Sequence, residues 1–372
     1  MNSYTATALG IDIREIDRRL AENWSLPTRF YSDPEIFSLE LEAIFARRWQ
    51  FFCPLHRVKN PGDAAVRQVG RFPVVVVRGR DGRLNGFLNV CRHRGYTVVD
   101  KDKRSCVRLV CRYHGWSYNL DGSLAHAPDA AGDAGFRSAD LGLRRVAVDE
   151  WGAMVLVHPD PEAAPLRATY PEMFRTARET GFDIAANDWI PYREVVYDIP
   201  TNWKLWYDNG TECYHCPNIH SASFGDAFNV DPELTTIRLG EGFTSYTFMS
   251  RKERSSNNLT ANNFLSFQLF PGMTYIVHDD FMHMTGMTPL EPGLTRHTAF
   301  YMGMRGVDEE RLDGWFRIWD DTYREDNEVT AVQYENLKCA RQPYNRYVAG
   351  REAPAQHMNA MVWKDCKAAL LA

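Results

Sequence analysis

Two groups of residues in this chain of 372 residues have the types and spacing of metal ligands. Cys91-Arg-His93 is followed, after seventeen residues, by Cys111-Arg-Tyr-His114, and each pair runs on to a glycine, Gly95 and Gly115. Two thiolates with two imidazoles suit either tetrahedral zinc or a mixed-ligand iron–sulfur cluster. In the second case, neutral imidazoles in place of two thiolates remove negative charge from one iron of a [2Fe–2S] cluster and raise its potential. Such a centre relays single electrons.

The second group lies in Asn202-Trp-Lys-Leu-Trp-Tyr-Asp-Asn-Gly-Thr-Glu-Cys-Tyr-His-Cys-Pro-Asn-Ile-His220, where His215 and His220 sit close to Asp208, Asn209 and Glu212. Two histidines and one carboxylate on one face of an ion make the facial triad of non-haem Fe(II) oxygenases, which leaves positions free for dioxygen. The segment supplies two of those three ligands. In an ideal helix, positions five apart point about 140° away from each other, so both imidazoles reach one ion only if the helix is broken. Pro217 breaks it, because it has no N–H for the carbonyl of Cys213. The same segment holds Cys213-x-x-Cys216, a spacing shared by redox dithiols and zinc pairs. The following proline and the lack of a thioredoxin-like context argue against both.

Cys-Arg-His-Arg-Gly at 91–95 and Cys-Arg-Tyr-His-Gly-Trp-Ser-Tyr at 111–118 resemble the two cluster-binding loops of Rieske [2Fe–2S] domains. Asn-Trp-Lys, Asp-Asn and Glu-Cys-Tyr-His-Cys-Pro-x-x-His resemble the mononuclear-iron motif of the catalytic α subunits of Rieske non-haem iron oxygenases, the aromatic-ring-hydroxylating dioxygenase α-subunit family. Within that family the likeness is greatest to the branch of choline, glycine betaine, carnitine and stachydrine oxygenases. The resemblance implies that Cys91, His93, Cys111 and His114 hold the [2Fe–2S] cluster. It implies that His215 and His220 bind a mononuclear Fe(II). The family's third ligand is an Asp in a C-terminal helix, and Tyr323-Arg-Glu-Asp-Asn-Glu-Val-Thr-Ala-Val-Gln333 makes it Asp326, with Glu325 as runner-up. Glu212 stands where the family places a bridging carboxylate, more often Asp. Its implied role is to hydrogen-bond His215 and, across a subunit boundary, the His114 of a neighbour. Asn209 corresponds to the asparagine near the iron.

The implied activity is that of the oxygenase component of a multicomponent system, a monooxygenase or dioxygenase using O₂ and electrons from NAD(P)H. Gly79, Gly82 and Gly86 have the wrong spacing for a dinucleotide fingerprint, so NAD(P)H oxidation is expected on a separate flavin/iron–sulfur reductase, with or without a ferredoxin. A homotrimeric ring is expected, because in this family electrons cross between neighbouring subunits. The small-molecule substrate is read as a quaternary ammonium or N-methyl compound undergoing N-demethylation or hydroxylation. Aromatic hydroxylation or cis-dihydroxylation is the second reading, since residues such as Trp206, Phe224, Phe264 and Tyr275 could stack a ring or cage a cation. A non-enzyme alternative is a Rieske electron carrier joined to a ligand-binding domain.

Lys+Arg 43 against Asp+Glu 48 gives a net charge of −5, which offers no basic footprint for nucleic acid or anionic membrane. The apolar run 72–77 is too short to span a bilayer, and the uncharged stretch 255–278 is rich in Asn, Ser and Thr. Without a secretory leader pattern, a cytoplasmic location is expected, and the eight cysteines are read as thiols or metal ligands. Those outside the motifs, 53, 106, 339 and 366, are read as buried small hydrophobes.

The elements that must hold these motifs follow from local signals. Ser32-Asp33-Pro34-Glu35 is a helix start, and the apolar spacing predicts a helix over 34–49. Short strands are expected at 64–69, 74–78 and 84–90, with the hairpin signal Asp81-Gly82 between the last two. Strands at 116–119 and 123–126 flank Asp121-Gly122, and another covers 151–158. Beyond Pro159 we expect a helix over 171–181, strands at 192–199, 243–248, 264–270, 274–278, 282–289 and 296–305, and a long amphipathic helix over 308–338. The fold class is α+β. It comprises an N-terminal helical segment (1–47) packing on the catalytic domain, an antiparallel β Rieske domain (48–159), and a helix-grip (START/Bet v1-like) catalytic domain (160–372) with a long C-terminal helix.

Overall fold

The computed structural model describes residues 5–6, 8–181, 189–228, 235–249, 263–278 and 280–372. Part of the uncharged stretch noted above, 255–262, lies outside the described residues. The chain divides into two compact units, one formed by 46–169 and the other by the segments on either side.

In the first unit, strands β1 (Gln50–Pro54), β2 (Ala64–Val69), β3 (Phe72–Arg78), β4 (Leu84–Leu88), β8 (Arg145–Trp151) and β9 (Met154–His158) form an antiparallel sheet in the order β1-β9-β8-β4-β3-β2. A second sheet joins β5 (Leu109–Val110), β6 (Ser117–Tyr118) and β7 (Leu124–His126). Both Asp-Gly hairpins form, with Gly82 at φ +81° and Gly122 at φ +87°, backbone that glycine adopts without a Cβ penalty. The unbroken valine run of β3 has a simple origin. Val75 and Val77 enter one core with Cys91 and Cys111, while Val74 and Val76 enter another on the opposite face. The single strand expected over 151–158 is corrected. Met154–His158 is strand β9, but Trp151 ends β8 and the two residues between form a hairpin turn, because Gly152 at φ +57° reverses the chain.

The second unit is built on a seven-stranded antiparallel sheet: β10 (Trp189–Ile199), β11 (Thr235–Gly240), β12 (Phe243–Met249), β13 (Asn263–Leu269), β14 (Met273–His278), β15 (Phe281–Glu291) and β16 (Leu294–Met304). The order is β10-β16-β15-β14-β13-β12-β11. Its helices include α1 (Ile13–Ala21), α2 (Pro34–Glu40), α3 (Pro171–Glu179), α4 (Trp203–Gly210), α5 (Cys216–Ile219), α6 (Glu309–Cys339) and α7 (Ala353–Leu371). The α6 helix starts at an Asp308 cap that accepts from the Arg311 N–H. It buries Leu312, Trp315, Ile318, Trp319, Thr322, Tyr323, Asp326, Thr330, Tyr334 and Leu337, a stripe at three- and four-residue spacing laid on the sheet. At the contact, the Leu312 side chain occupies the space a Cβ on Gly303 of β16 would need. No helix among the described residues is long and apolar enough to cross a membrane.

The helix expected over 34–49 is shorter. It runs from its Asp33 cap to Glu40 and then widens into a π-helical turn, Leu41–Phe45, before the chain enters β1. Phe45 meets the Trp203 ring of α4 edge-on at 5.0 Å, and Phe30 meets Trp363 of α7 at 6.1 Å, so these N-terminal residues share the core of the sheet-bearing unit.

Candidate functional site

The two cysteine–histidine loops fold alike. In the first, the Cys91 N–H donates to the Tyr96 carbonyl (2.7 Å) and the Gly95 N–H to the Cys91 carbonyl (3.0 Å). In the second, the Cys111 N–H donates to Trp116 (2.9 Å) and the Gly115 N–H to Cys111 (3.0 Å). Gly95 and Gly115 share φ +73°, which explains the glycine ending each motif. Both thiols are buried, whereas His93 and His114 are exposed with ring centres 4.7 Å apart and planes at 72°. The Tyr118 hydroxyl lies 3.2 Å from Cys91 Sγ and accepts from the Arg92 N–H. Burial raises the pKa of the Cys111 thiol and the adjacent Cys91 raises it further, while the N–H groups of Tyr113 and His114 oppose both. Those N–H groups would stabilise a thiolate.

Among the described residues, only His215, His220 and Asp326 bring three potential ligand atoms within 4.8 Å of one another. Two buried thiols beside two exposed imidazoles are a donor set that fits a mixed-ligand [2Fe–2S] cluster.

The second site is assembled by α4, α5 and α6. His215 immediately precedes the short α5 and His220 immediately follows it, with Pro217 in its first turn. The geometric conflict of a five-residue spacing thus vanishes, because neither histidine lies inside a helix. His215 Nε2 and His220 Nε2 are 3.1 Å apart, and Asp326 Oδ1 lies 3.4 Å from the first and 3.0 Å from the second. Each imidazole is held from behind by a carboxylate. Glu212 Oε1 is 2.6 Å from His215 Nδ1, and Glu325 Oε2 is 2.7 Å from His220 Nδ1. Glu325, the alternative third ligand, thus faces the far side of the His220 ring, where it also accepts from the Ser223 hydroxyl (2.6 Å). Asn209 donates to Asp326 Oδ1 at 2.6 Å.

Burial lowers the pKa of His215, but its hydrogen bonds to Asp326 and Glu212 prevail and raise it to about 10. The Asp326 carboxyl is held well below the usual range: burial alone would raise it, and the two imidazoles outweigh burial. This donor set, with three oxygen and nitrogen atoms converging and the opposite ring nitrogens tied to carboxylates, fits a ferrous ion of the facial-triad type.

Supporting contacts fix α4. Trp206 Nε1 donates to Asn327 of α6 (2.8 Å). Half-buried Asp208 accepts from Tyr347 (2.9 Å) and from Asn359 of α7 (2.7 Å). The latter two partners carry no local motif and escaped the sequence reading. Asp326 did offer a signal, since it falls in the buried stripe of α6, where a carboxylate must be paired or ligated.

Two cysteine expectations are corrected. Cys213 and Cys216 are joined by a disulfide, since the turn into α5 brings their Cα atoms to 5.0 Å. Cys339 is exposed at the end of α6 and Cys106 is half-buried, so only Cys53 and Cys366 behave as core residues. A cavity opens on the triad, lined among others by Phe224, Tyr246, Phe264, Trp319 and the hydroxyls of Ser266 and Thr274.

Residues 48–143 match the Rieske [2Fe-2S] domain, and residues 186–367 match the ring hydroxylating alpha subunit (catalytic domain). The carnitine monooxygenase oxygenase subunit of Escherichia coli (strain K12) is 32% identical over 234 residues, 63% of this chain. The match spans 62% of that relative's own length. The glycine betaine monooxygenase oxygenase subunit of Chromohalobacter salexigens is 35% identical over 199 residues, 53% of this chain and 43% of its own. Among solved structures, a quaternary ammonium Rieske monooxygenase described for carnitine oxidation and inter-subunit electron transfer superposes with a TM-score of 0.82. At 24% identity it covers 92% of this chain and 95% of its own, a likeness of fold. A Rieske domain joined to a ring-hydroxylating catalytic domain places this chain among the Rieske non-haem iron oxygenases, as a catalytic α subunit.

Proposed function

We propose that the protein is the oxygenase component of a multicomponent Rieske system that oxidises a quaternary ammonium or N-methyl compound. The observation carrying this reading is the convergence of His215, His220 and Asp326 at a cavity with aromatic walls. A [2Fe–2S] cluster held by Cys91, His93, Cys111 and His114 would supply single electrons, and a ferrous ion held by the triad would supply dioxygen activation. The protein's part is positional. Glu212 and Glu325 orient the two imidazoles, and Asn209 fixes the Asp326 carboxylate by donating to Oδ1. The aromatic walls offer rings on which a methylated cation could lie. No Lys or Arg stands among the described lining residues to compete with such a cation for the rings. The relatives that oxidise carnitine and glycine betaine support this substrate class.

The remaining parts of the system follow from this reading. A separate flavin/iron–sulfur reductase delivers the electrons, a ring of three subunits lets them cross to a neighbour through Glu212, and the protein works in the cytoplasm. Metal and acid-labile sulfide analysis with oxygen uptake tests the proposal. Three irons and two sulfides per chain, with uptake driven by carnitine, glycine betaine or choline and a surrogate reductase, are the expected outcome. Two irons with two sulfides would make the protein an electron carrier, and uptake with aromatic acids alone would reassign the substrate.

A further inference from the structure

The disulfide beside the triad has no role in the reading above. Cys213 and Cys216 flank His215, both line the cavity, and Cys216 Sγ lies 4.0 Å from His215 Nε2. With the bond made, His215 keeps its hydrogen bond to Glu212, and the three ligand atoms stay within 4.8 Å of one another. Disulfide and ligand set are therefore compatible, and closing the bond demands no departure of His215 from the site. Cys213 is partly exposed, which gives a reductant access, whereas the Cys53 and Cys366 thiols are sealed in the core.

We propose that Cys213 and Cys216 are a reversible dithiol–disulfide pair that consumes hydroperoxide at the rim of the mononuclear site while leaving its ligands assembled. The source of peroxide rests on the oxygenase reading. Dioxygen that takes up two electrons and two protons without oxidising substrate leaves as hydrogen peroxide, beside His215. One thiolate attacks the peroxide, breaking the O–O bond to give a sulfenic acid and hydroxide. The second thiol then displaces water from the sulfenic acid and forms the S–S bond. In sum, two thiols and one H₂O₂ give one disulfide and two waters. A small thiol, by exchange, returns the pair to the dithiol with two electrons and two protons.

The test treats reduced, desalted holoenzyme with hydrogen peroxide in the absence of any reductase, so its result does not depend on turnover. Peptide mass spectrometry is expected to find the segment bearing Cys213 and Cys216 two hydrogens lighter, with the mononuclear iron retained and the mass restored by dithiothreitol. The Cys213→Ser/Cys216→Ser double variant, given the same dose, is expected to lose mononuclear iron sooner and to accumulate oxygen on His215. Persistent thiols, irreversible sulfinic acid at either position, or iron loss in step with disulfide formation would overturn the proposal. If the double variant fails to hold iron at all, the wild-type mass and iron readouts still decide it. Absence of turnover with every amine, by contrast, would count against the oxygenase reading alone.

Discussion

At the scale of single residues, Glu325 and Asp326 are neighbours whose carboxylates meet opposite nitrogens of one imidazole, so geometry alone separates their roles. Asp326→Ala removes an atom from the converging set and is expected to abolish mononuclear iron binding while leaving the cluster's visible spectrum unchanged. Glu325→Gln removes only the charge behind His220 and should weaken iron affinity about 10–100-fold without abolishing it. Iron titration against a chelator distinguishes them, and the reverse ranking would exchange the assignments. His215 supplies a pH signature. In metal-free protein its pKa stands near 10, above the ordinary 6.5, because contacts with Asp326 and Glu212 overcome burial. The stabilisation is complete below pH 6.5 and is lost as pH rises toward 10. Iron must displace that proton, so iron affinity rises over the same window. Melting curves are expected to separate with increasing pH, the metal-free protein falling relative to the iron-loaded one. A constant gap would mean that His215 binds no metal. The two histidines and Glu212 were legible because their chemistry is local. Asp326 needed a family resemblance, since more than a hundred residues separate it from His220 and neighbouring acids share its helix.

Elements carry the next level of support, and the sharpest case is the ion pair between α2 and α4. Lys204 Nζ lies 2.7 Å from Glu40 Oε1 with both side chains fully buried, and Trp203 Nε1 donates to the same carboxylate at 2.9 Å. Burial raises the pKa of Glu40 and lowers that of Lys204, and their mutual attraction opposes both shifts. Lys204→Met leaves the carboxylate buried without its cation and is expected to cost about 3–5 kcal/mol in chemical denaturation. A Glu40→Leu/Lys204→Met double variant should recover most of that loss. If the double variant is as unstable as the single, the cost comes from packing around Tyr31 and Trp203, not from the orphaned charge. Neither residue announced this role in the sequence, because pairing partners 164 positions apart leave no local pattern. Hairpins were legible for the opposite reason, since Asp81-Gly82 and Asp121-Gly122 encode their turns in two residues. The end of α2 was overrun because apolar spacing continues through the π-helical turn. The edge strand β11, mostly exposed, lacks the alternation that marks a half-buried strand, and α7 lacks a side-chain cap and a clear polar face, so both were missed.

At the scale of the whole molecule, the cluster loops belong to one compact unit and the triad to the other, so the proposed chemistry depends on electrons passing between centres held by separate units. Under the proposed ring, the donor cluster for each iron belongs to a neighbouring chain. Two variants make this measurable: His114→Ala, which disables the cluster, and Asp326→Ala, which disables the mononuclear site. Each homo-oligomer is expected to be inactive. Co-expressed with different affinity tags and mixed at random, they should regain about a quarter of wild-type activity, the share of adjacent pairs in a cyclic trimer that keep one intact centre each in the required order. Transfer confined within a chain predicts no regain, because no single chain then holds both centres. Tandem-purified mixed oligomers without activity would therefore reject transfer between subunits, and failure of the two tags to co-purify would reject the ring itself.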